Sequence, residues 1–252
     1  GTGGVGRCTN VEVRQCGYSG VCAANGASIT LIGAKTTVHH NCTKRESGFY
    51  GLAVYNTSSS TIQLVSPLTK EQVSIDNGGG GNWGADDNAD INQIKTITLT
   101  SSSHFSSGET KTTTDSTTSF DSTAVLRVPD ECSTLIEAVK KVHKDSHLIM
   151  IVLGKGKHSI DGTRLQISSA MNIVGDPGVP KEKIVVVGGI EFKEGITGNC
   201  HLQHLTLRQA QDFGVSGGSS FTMEDVVVEQ CGVHGVCAYG TGIVGICTNV
   251  EV

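Results

Sequence analysis

The first thirteen residues, GTGGVGRCTNVEV, return as the last thirteen, GTGIVGICTNVEV, with differences only at Gly4/Ile243 and Arg7/Ile246. A chain whose tail spells the approach to its own head is constrained to a repetitive architecture, because one strand must suit two places in a single series. Aligned on that overlap, VEVRQCGYSGVCAANG from Val11 continues the series that VVVEQCGVHGVCAYG from Val226 leaves open. Two more segments fall into phase, LTLRQAQDFGVSG from Leu205 and TTVHHNCTKRESGFYGLAV from Thr36, with spacings of 21, 24 and 25 residues counted through the overlap. Periods of this length with apolar residues at every second position imply a β-solenoid, since one coil cannot bury its apolar face alone. Abundant glycine (33), scarce proline (4) and 4% aromatics suit stacked short strands with tight corners.

Alternation in the first strand of each coil directs Leu205 and Leu207, Val226 and Val228, Val11 and Val13, and Val38 to the interior. Gly214, Gly235, Gly20 and Gly51 mark a corner, where torsions forbidden to a β carbon are expected. Val215, Val236, Val21 and Leu52 then open a second strand, with Gly217, Ala238, Ala23 and Val54 two positions on. Gln209, Gln230, Gln15 and His40 share the inward parity and are expected to stack as an amide ladder at the ~4.8 Å rung spacing. The outward parity holds Arg208, Glu229, Arg14 and His39, a row of alternating charge in which neighbours on parallel strands attract. This row is also the candidate catalytic set, able to grip or cleave an acidic polysaccharide, although exposed paired charges more often form only a solvated surface.

The stretch from Val125 to Pro177, VLRVPDECSTLIEAVKKVHKDSHLIMIVLGKGKHSIDGTRLQISSAMNIVGDP, reads strand, helix, strand, strand. Thr134 and Glu137 have capping-box spacing, and Leu135, Ile136, Val139 and Val142 make an apolar helical face. Its segments TLIEAV, IVLGKGKHSI and LQISSAMNIVG resemble the amino-terminal cap of right-handed parallel β-helix proteins of the pectin-lyase-like group. The resemblance implies an all-β fold, a right-handed parallel β-helix (solenoid) with one capping α-helix. It also implies that the cap comes first in space, so the chain order is permuted. Members that act on pectins bring aspartates to adjacent coils, with a basic residue or calcium. Here Asp225 and Glu224 are matched by Asn249 and Thr248, or by Gln203 and His204, so no catalytic set carries over. A fold shared by lyases, esterases and adhesins transfers no chemistry by itself.

Three segments follow: 1–97 as the C-terminal half of the coils, 98–124 as a Ser/Thr-rich linker, and 125–252 as the cap and first half of the coils. The linker, at ~3.3 Å per residue, spans ~90 Å when extended, enough to run the length of the stack. Asn41-Cys42-Thr43 and Asn56-Thr57-Ser58 are N-glycan acceptor sequences, so Asn41 and Asn56 are candidate glycosylation sites. The nine cysteines follow the repeat, with Cys16/Cys231, Cys22/Cys237 and Cys8/Cys247 at shared positions, as expected for small apolar side chains stacked inside a solenoid. His143 and His147 lack a third zinc ligand, and the segment Asp76–Gln93 reads as a Gly-rich loop; no metal or cofactor is expected. A net charge of −5 argues against nucleic acid as a partner. No apolar run approaches the ~20 residues of a membrane span.

Both ends read as bare rungs, with Cys8, Asn10, Val11 and Val13 at one and Cys247, Asn249, Val250 and Val252 at the other. Such edges are expected to pair, with each other or between molecules, and Ile243 and Ile246 are expected to give the tail copy the better hold on the core. The functional expectation is a non-catalytic structural or interaction module that self-associates through its terminal coils, in an extracellular filament or surface coat, with a cytoplasmic location left open. The alternative is a carbohydrate-binding or polysaccharide-cleaving β-helix enzyme, a lyase or hydrolase, with glycans as partners.

Overall fold

A computed structural model describes residues 4–56, 59–86, 88–98, 125–145 and 147–240. Residues 4–98 supply β1 (Val5–Thr9), β2 (Glu12–Arg14), β3 (Val21–Ala24), β4 (Ser28–Ile32), β5 (Thr37–His39), β6 (Tyr50–Tyr55), β7 (Thr61–Val65), the short helix α1 (Lys70–Val73), β8 (Ser74–Ile75), β9 (Gly81–Ala85) and β10 (Ile94–Ile97). Residues 125–240 supply β11 (Val125–Val128), α2 (Leu135–Lys144), β12 (Met150–Leu153), β13 (Gly156–Ile167), β14 (Asn172–Gly175), β15 (Ile184–Phe192), β16 (Cys200–Gln203), β17 (Thr206–Arg208), β18 (Val215–Gly217), β19 (Phe221–Glu224), β20 (Val227–Glu229) and β21 (Val236–Ala238).

Strand pairing is parallel between successive turns of the chain, as in β16 on β19 and β17 on β20. Each turn lays one strand on each of three faces. The first face runs β11, β12, β14, β16, β19, β1, β4, β7, β10. The long strands β13 and β15 bend across the other two, which continue as β17, β20, β2, β5, β8 and as β18, β21, β3, β6, β9. The molecule is an all-β parallel β-helix. Leu205, Leu207, Val226, Val228, Val11, Val13 and Val38 are all fully buried between the faces, in the register that the repeat alignment gives.

The spatial order runs from residue 125 to 240 and then from 4 to 98. β1 sits between β19 and β4, β2 between β20 and β5, and β3 between β21 and β6. The junction of the two halves, here called the seam, is therefore an ordinary rung contact made without a peptide bond, begun by the Gly4 amide donating to the Tyr239 carbonyl at 3.3 Å. The expectation that the head would be the weaker copy is corrected: the head, with Cys8, Asn10, Val11 and Val13, fills the rung. Two local facts explain it. A β carbon on Gly4 would lie 2.7 Å from the Gly217 carbonyl oxygen and 2.9 Å from that of Tyr239, so an isoleucine does not fit there without backbone movement. Arg7 faces outward between Thr222 and Thr30, where an apolar side chain gains little. The tail residues Cys247, Asn249, Val250 and Val252 lie outside the described residues, as does the linker from 99 to 124.

α2 closes the first rung. Thr134 caps it by accepting from the Glu137 amide, and Leu135, Ala138, Val139 and Val142 are buried against the end of the core.

Three expectations change in physical detail. Gly214, Gly235, Gly20 and Gly51 do not have positive φ; they are small because the rungs stack too closely for a side chain. A β carbon on Gly20 would meet Val38 Cγ1 at 2.5 Å and the Gly51 carbonyl oxygen at 2.9 Å. The left-handed positions are instead Gln209, Gln230, Gln15 and His40, with φ between 54° and 57°. That torsion breaks the alternation and turns these side chains out to solvent, leaving one weak amide contact, Gln230 to Gln15 at 3.4 Å. The inward ladder lies one residue further on, at Asn41 and Asn77. Finally, the segment 76–93 is not simply a loop: it contains β9 and a turn of 3-10 helix, Ile91–Gln93, capped by Asp90.

Candidate functional site

The seam carries the row of alternating charge. β17, β20, β2 and β5 place Arg208, Glu229, Arg14 and His39 in register on successive rungs. The Glu229 side chain is only 4% exposed, and both of its oxygens are taken: Arg208 Nε donates to Oε1 at 2.5 Å, while Arg14 Nε and Nη2 reach Oε2 at 2.8 and 2.7 Å. Arg14 Nη1 also contacts Glu12 at 2.5 Å, and His39 Nε2 meets the same Glu12 oxygen at 3.1 Å. Burial pulls the Arg14 guanidinium down, but its bonds to Glu229 and the charge of Glu12 outweigh that and hold it above its ordinary value. A carboxylate clamped between two guanidiniums has no lone pair poised for proton transfer, so the row works as a clasp between rungs.

One turn nearer the cap, Asp225 accepts from Lys181 Nζ at 2.5 Å and pairs with His204 Nδ1 at 2.7 Å, while His204 Nε2 contacts the Val179 carbonyl at 2.9 Å. His204 and Asp225 share a second left-handed corner, directly after the first-face strands β16 and β19, with φ of 53° and 51°. Burial opposes the charged form of each, but the hydrogen bonds win, raising His204 and lowering Asp225. Their polar atoms, too, are spent on structure.

The outer side of the third face is different. Along β18, β21, β3, β6 and β9 the central outward residues are small: Ser216, Cys237, Cys22, Ala53 and Gly84. Larger groups flank this strip. Phe213, His234, Ser19 and Tyr50 each precede one of the corner glycines, and on the other side Tyr239 and Asp86 follow β21 and β9 while Tyr55 ends β6. Small floor and tall walls make a cleft of about 380 Å³ that includes Phe49, Tyr55, Phe213, His234, Tyr239 and Asp86 in its lining. His234 is its hub, with ring centroids 5.3 Å from Phe213, 5.8 Å from Phe49 and 6.3 Å from Tyr55, at interplanar angles of 42–51°. Its Nδ1 accepts from the Ser19 amide at 3.0 Å, which leaves the proton on Nε2. Burial among these rings pushes its pKa down to about 4. The cleft straddles the seam: Phe213, His234, Cys237 and Tyr239 come from one half, and Cys22, Phe49, Tyr55 and Asp86 from the other. Sequence reasoning missed it because Phe49 enters from the β5–β6 loop, which is longer than its counterparts in the other coils. The visible signal was the residue before each corner glycine.

Asn41 is buried. Its Oδ1 accepts from the Cys16 amide at 3.1 Å, and its Nδ2 donates to the Val13 carbonyl and to Asn77 Oδ1, both at 3.0 Å. Asn77 repeats the motif, donating to the Val38 carbonyl at 3.1 Å. The expectation of a glycan at Asn41 is thereby corrected for the folded chain, because the amide nitrogen that would carry it is spent inside the ladder. Asn56 is exposed, with Nδ2 donating to Asn25 Oδ1 at 3.2 Å; the two residues after it lie outside the described residues. The eight described cysteines are buried free thiols, and burial raises Cys8 to about 12 and Cys200 to about 11, which keeps both protonated. His143 accepts from the Ser168 amide at 3.3 Å, and among the described residues no group of three or more His, Cys, Asp or Glu side chains is arranged to hold a metal ion. No described helix is long and apolar enough to cross a membrane.

No protein-family profile, curated protein or solved structure matches this chain.

Proposed function

We propose that this chain is a non-catalytic structural module of the pectin-lyase-like kind, whose seam also forms between molecules and joins them head to tail in an extracellular filament or surface coat. The observation that carries this reading is the docking of residues 4–24 as a complete rung on β19, β20 and β21. A rung held by strand pairing, a charge clasp and buried thiols can be supplied by the same chain or by a neighbour, because no covalent bond fixes which. The duplicated thirteen residues provide a second copy of the first part of that rung, through β1 and most of β2, so each chain carries two segments for one slot. The other end of the stack, β10, pairs only with β7 among the described residues and offers a further edge.

The enzymatic alternative draws no support from the charge row, whose carboxylate is fully paired. Sedimentation and electron microscopy of the full chain test the proposal, beside variants lacking residues 1–13, residues 241–252, or both. Mass that rises with concentration is expected, together with loss of assembly and a lower melting temperature in the double deletion. A full chain that stays monomeric throughout, or a double deletion that assembles unchanged, defeats it.

A further inference from the structure

Nine aromatic side chains lie among the described residues, and the solenoid interior uses few of them. Phe192 and Phe221 stack in the core at 5.6 Å. Phe49, Tyr50, Tyr55, Phe213 and Tyr239 gather instead outside the third face, around Cys22, Ala53 and Cys237, with Tyr18 stacked behind Phe49 at 4.1 Å. A parallel β-helix does not need rings there, since its apolar core is on the other side of the strands.

The polar groups of this cleft narrow what it can hold. The Tyr55 hydroxyl is committed to Ser19 Oγ at 2.7 Å and to the Gly48 carbonyl at 3.2 Å, and the Tyr239 hydroxyl donates to Glu191 at 3.0 Å. Both tyrosines thus present ring surface more than donors. Two cations lie nearby, and each already has an aromatic partner: Arg164 sits 5.3 Å from the Phe213 centroid, and Lys44 sits 4.3 Å from that of Tyr18. Among the described residues Asp86 is the one charged group lining the cleft, and its carboxylate has no hydrogen bond or ion pair among them. A polyhydroxylated sugar needs several free donors and acceptors; this site offers ring faces and one unpaired negative charge. Ring faces carry a negative quadrupole, so both features attract a diffuse, weakly hydrated cation.

We propose that the cleft formed by Phe49, Tyr55, Phe213, His234, Tyr239 and Asp86 binds a quaternary ammonium group, and that binding fastens the seam because its walls come from both halves of the stack. Its size falls within the ~300–1,000 Å³ range of small-molecule sites. The inference is independent of whether the seam is made within one chain or between two.

Titration of the full chain with choline, by calorimetry or by shifts of aromatic NMR signals, tests this directly. The control is 3,3-dimethylbutan-1-ol, a neutral compound of the same shape. Saturable choline binding is expected, ~5-fold or more tighter than the alcohol, with a melting temperature that rises with choline. Asp86→Asn, a half-exposed position outside the core, should weaken choline by ~5-fold or more and leave the alcohol unaffected. Phe49→Leu should weaken both while the unliganded circular dichroism is unchanged. Choline itself and phosphocholine distinguish a free cation from a headgroup: the phosphate should be repelled by Asp86, and Asp86→Asn should narrow the difference. Absence of saturable choline binding, equal affinity for the alcohol, or binding of neutral sugars in place of the cation each overturns the assignment.

Discussion

Glu229→Gln isolates the clasp at the seam. The substitution keeps shape and volume but removes the charge held between Arg208 and Arg14, contacts of 2.5, 2.7 and 2.8 Å around a side chain that is 4% exposed. Hydrogen bonds to charged groups contribute ~1.5–3 kcal/mol each, but both guanidiniums are about a third exposed and recover hydration when released, so each contact is discounted toward ~1 kcal/mol. The amide also turns an N–H toward one guanidinium. A loss of about 3 kcal/mol is expected, a sizeable part of the ~5–15 kcal/mol that stabilises a typical domain. Urea unfolding measures it, and a double-mutant cycle with Arg14→Met should show strong coupling, because Arg14 belongs to the other half. A loss below ~0.5 kcal/mol, or one that high salt abolishes, would mean the row is merely a solvated surface and would refute the clasp.

Other expectations follow from the same rungs. Gly4→Ile, the residue of the tail copy, should destabilise the seam by ~1–3 kcal/mol through collision with the Gly217 and Tyr239 carbonyls, whereas Arg7→Ile should stay within ~0.5 kcal/mol; thermal melts separate them. Asn41→Ala strands the Cys16 amide and the Val13 carbonyl, and a loss of ~3 kcal/mol or more in chemical denaturation is expected. His234 has a folded pKa depressed to about 4, so its contribution is whole above the unfolded value near 6.5 and declines as pH falls toward 4. The unfolded chain takes up the proton first, and the shift corresponds to about 3 kcal/mol; in His234→Phe this part of the pH slope should vanish, and its persistence would place the titration elsewhere.

Much of the fold was legible because a solenoid writes each interior position several times. Val228, Val13 and Val38 announce one buried column and Val236, Val21 and Leu52 another, and the strand registers reproduce those alignments. Backbone torsion was less legible. Parity counting assumes extended strands, and a single left-handed residue at Gln15 or His40 resets it, which sent the amide ladder to Asn41 and exposed the glutamines. Glycine misled in the opposite sense: Gly20 and Gly235 are demanded by neighbours above and below, and such crowding has no signature within one coil. The aromatic cleft escaped because Phe49 reaches it from the one longer loop, between β5 and β6, while Asp86 shares its column with Tyr55 and Tyr239, two residues of unlike chemistry.

Residues 4 and 240 both lie at the waist of the rod, not at its tips. Cargo or tethers carried through either would hang from the middle of the stack, and tension between them would try to slide neighbouring rungs past one another or prise them apart there. Resistance to such a load rests on Glu229 and on the β1, β2 and β3 pairings, making the waist the place where the rod yields first.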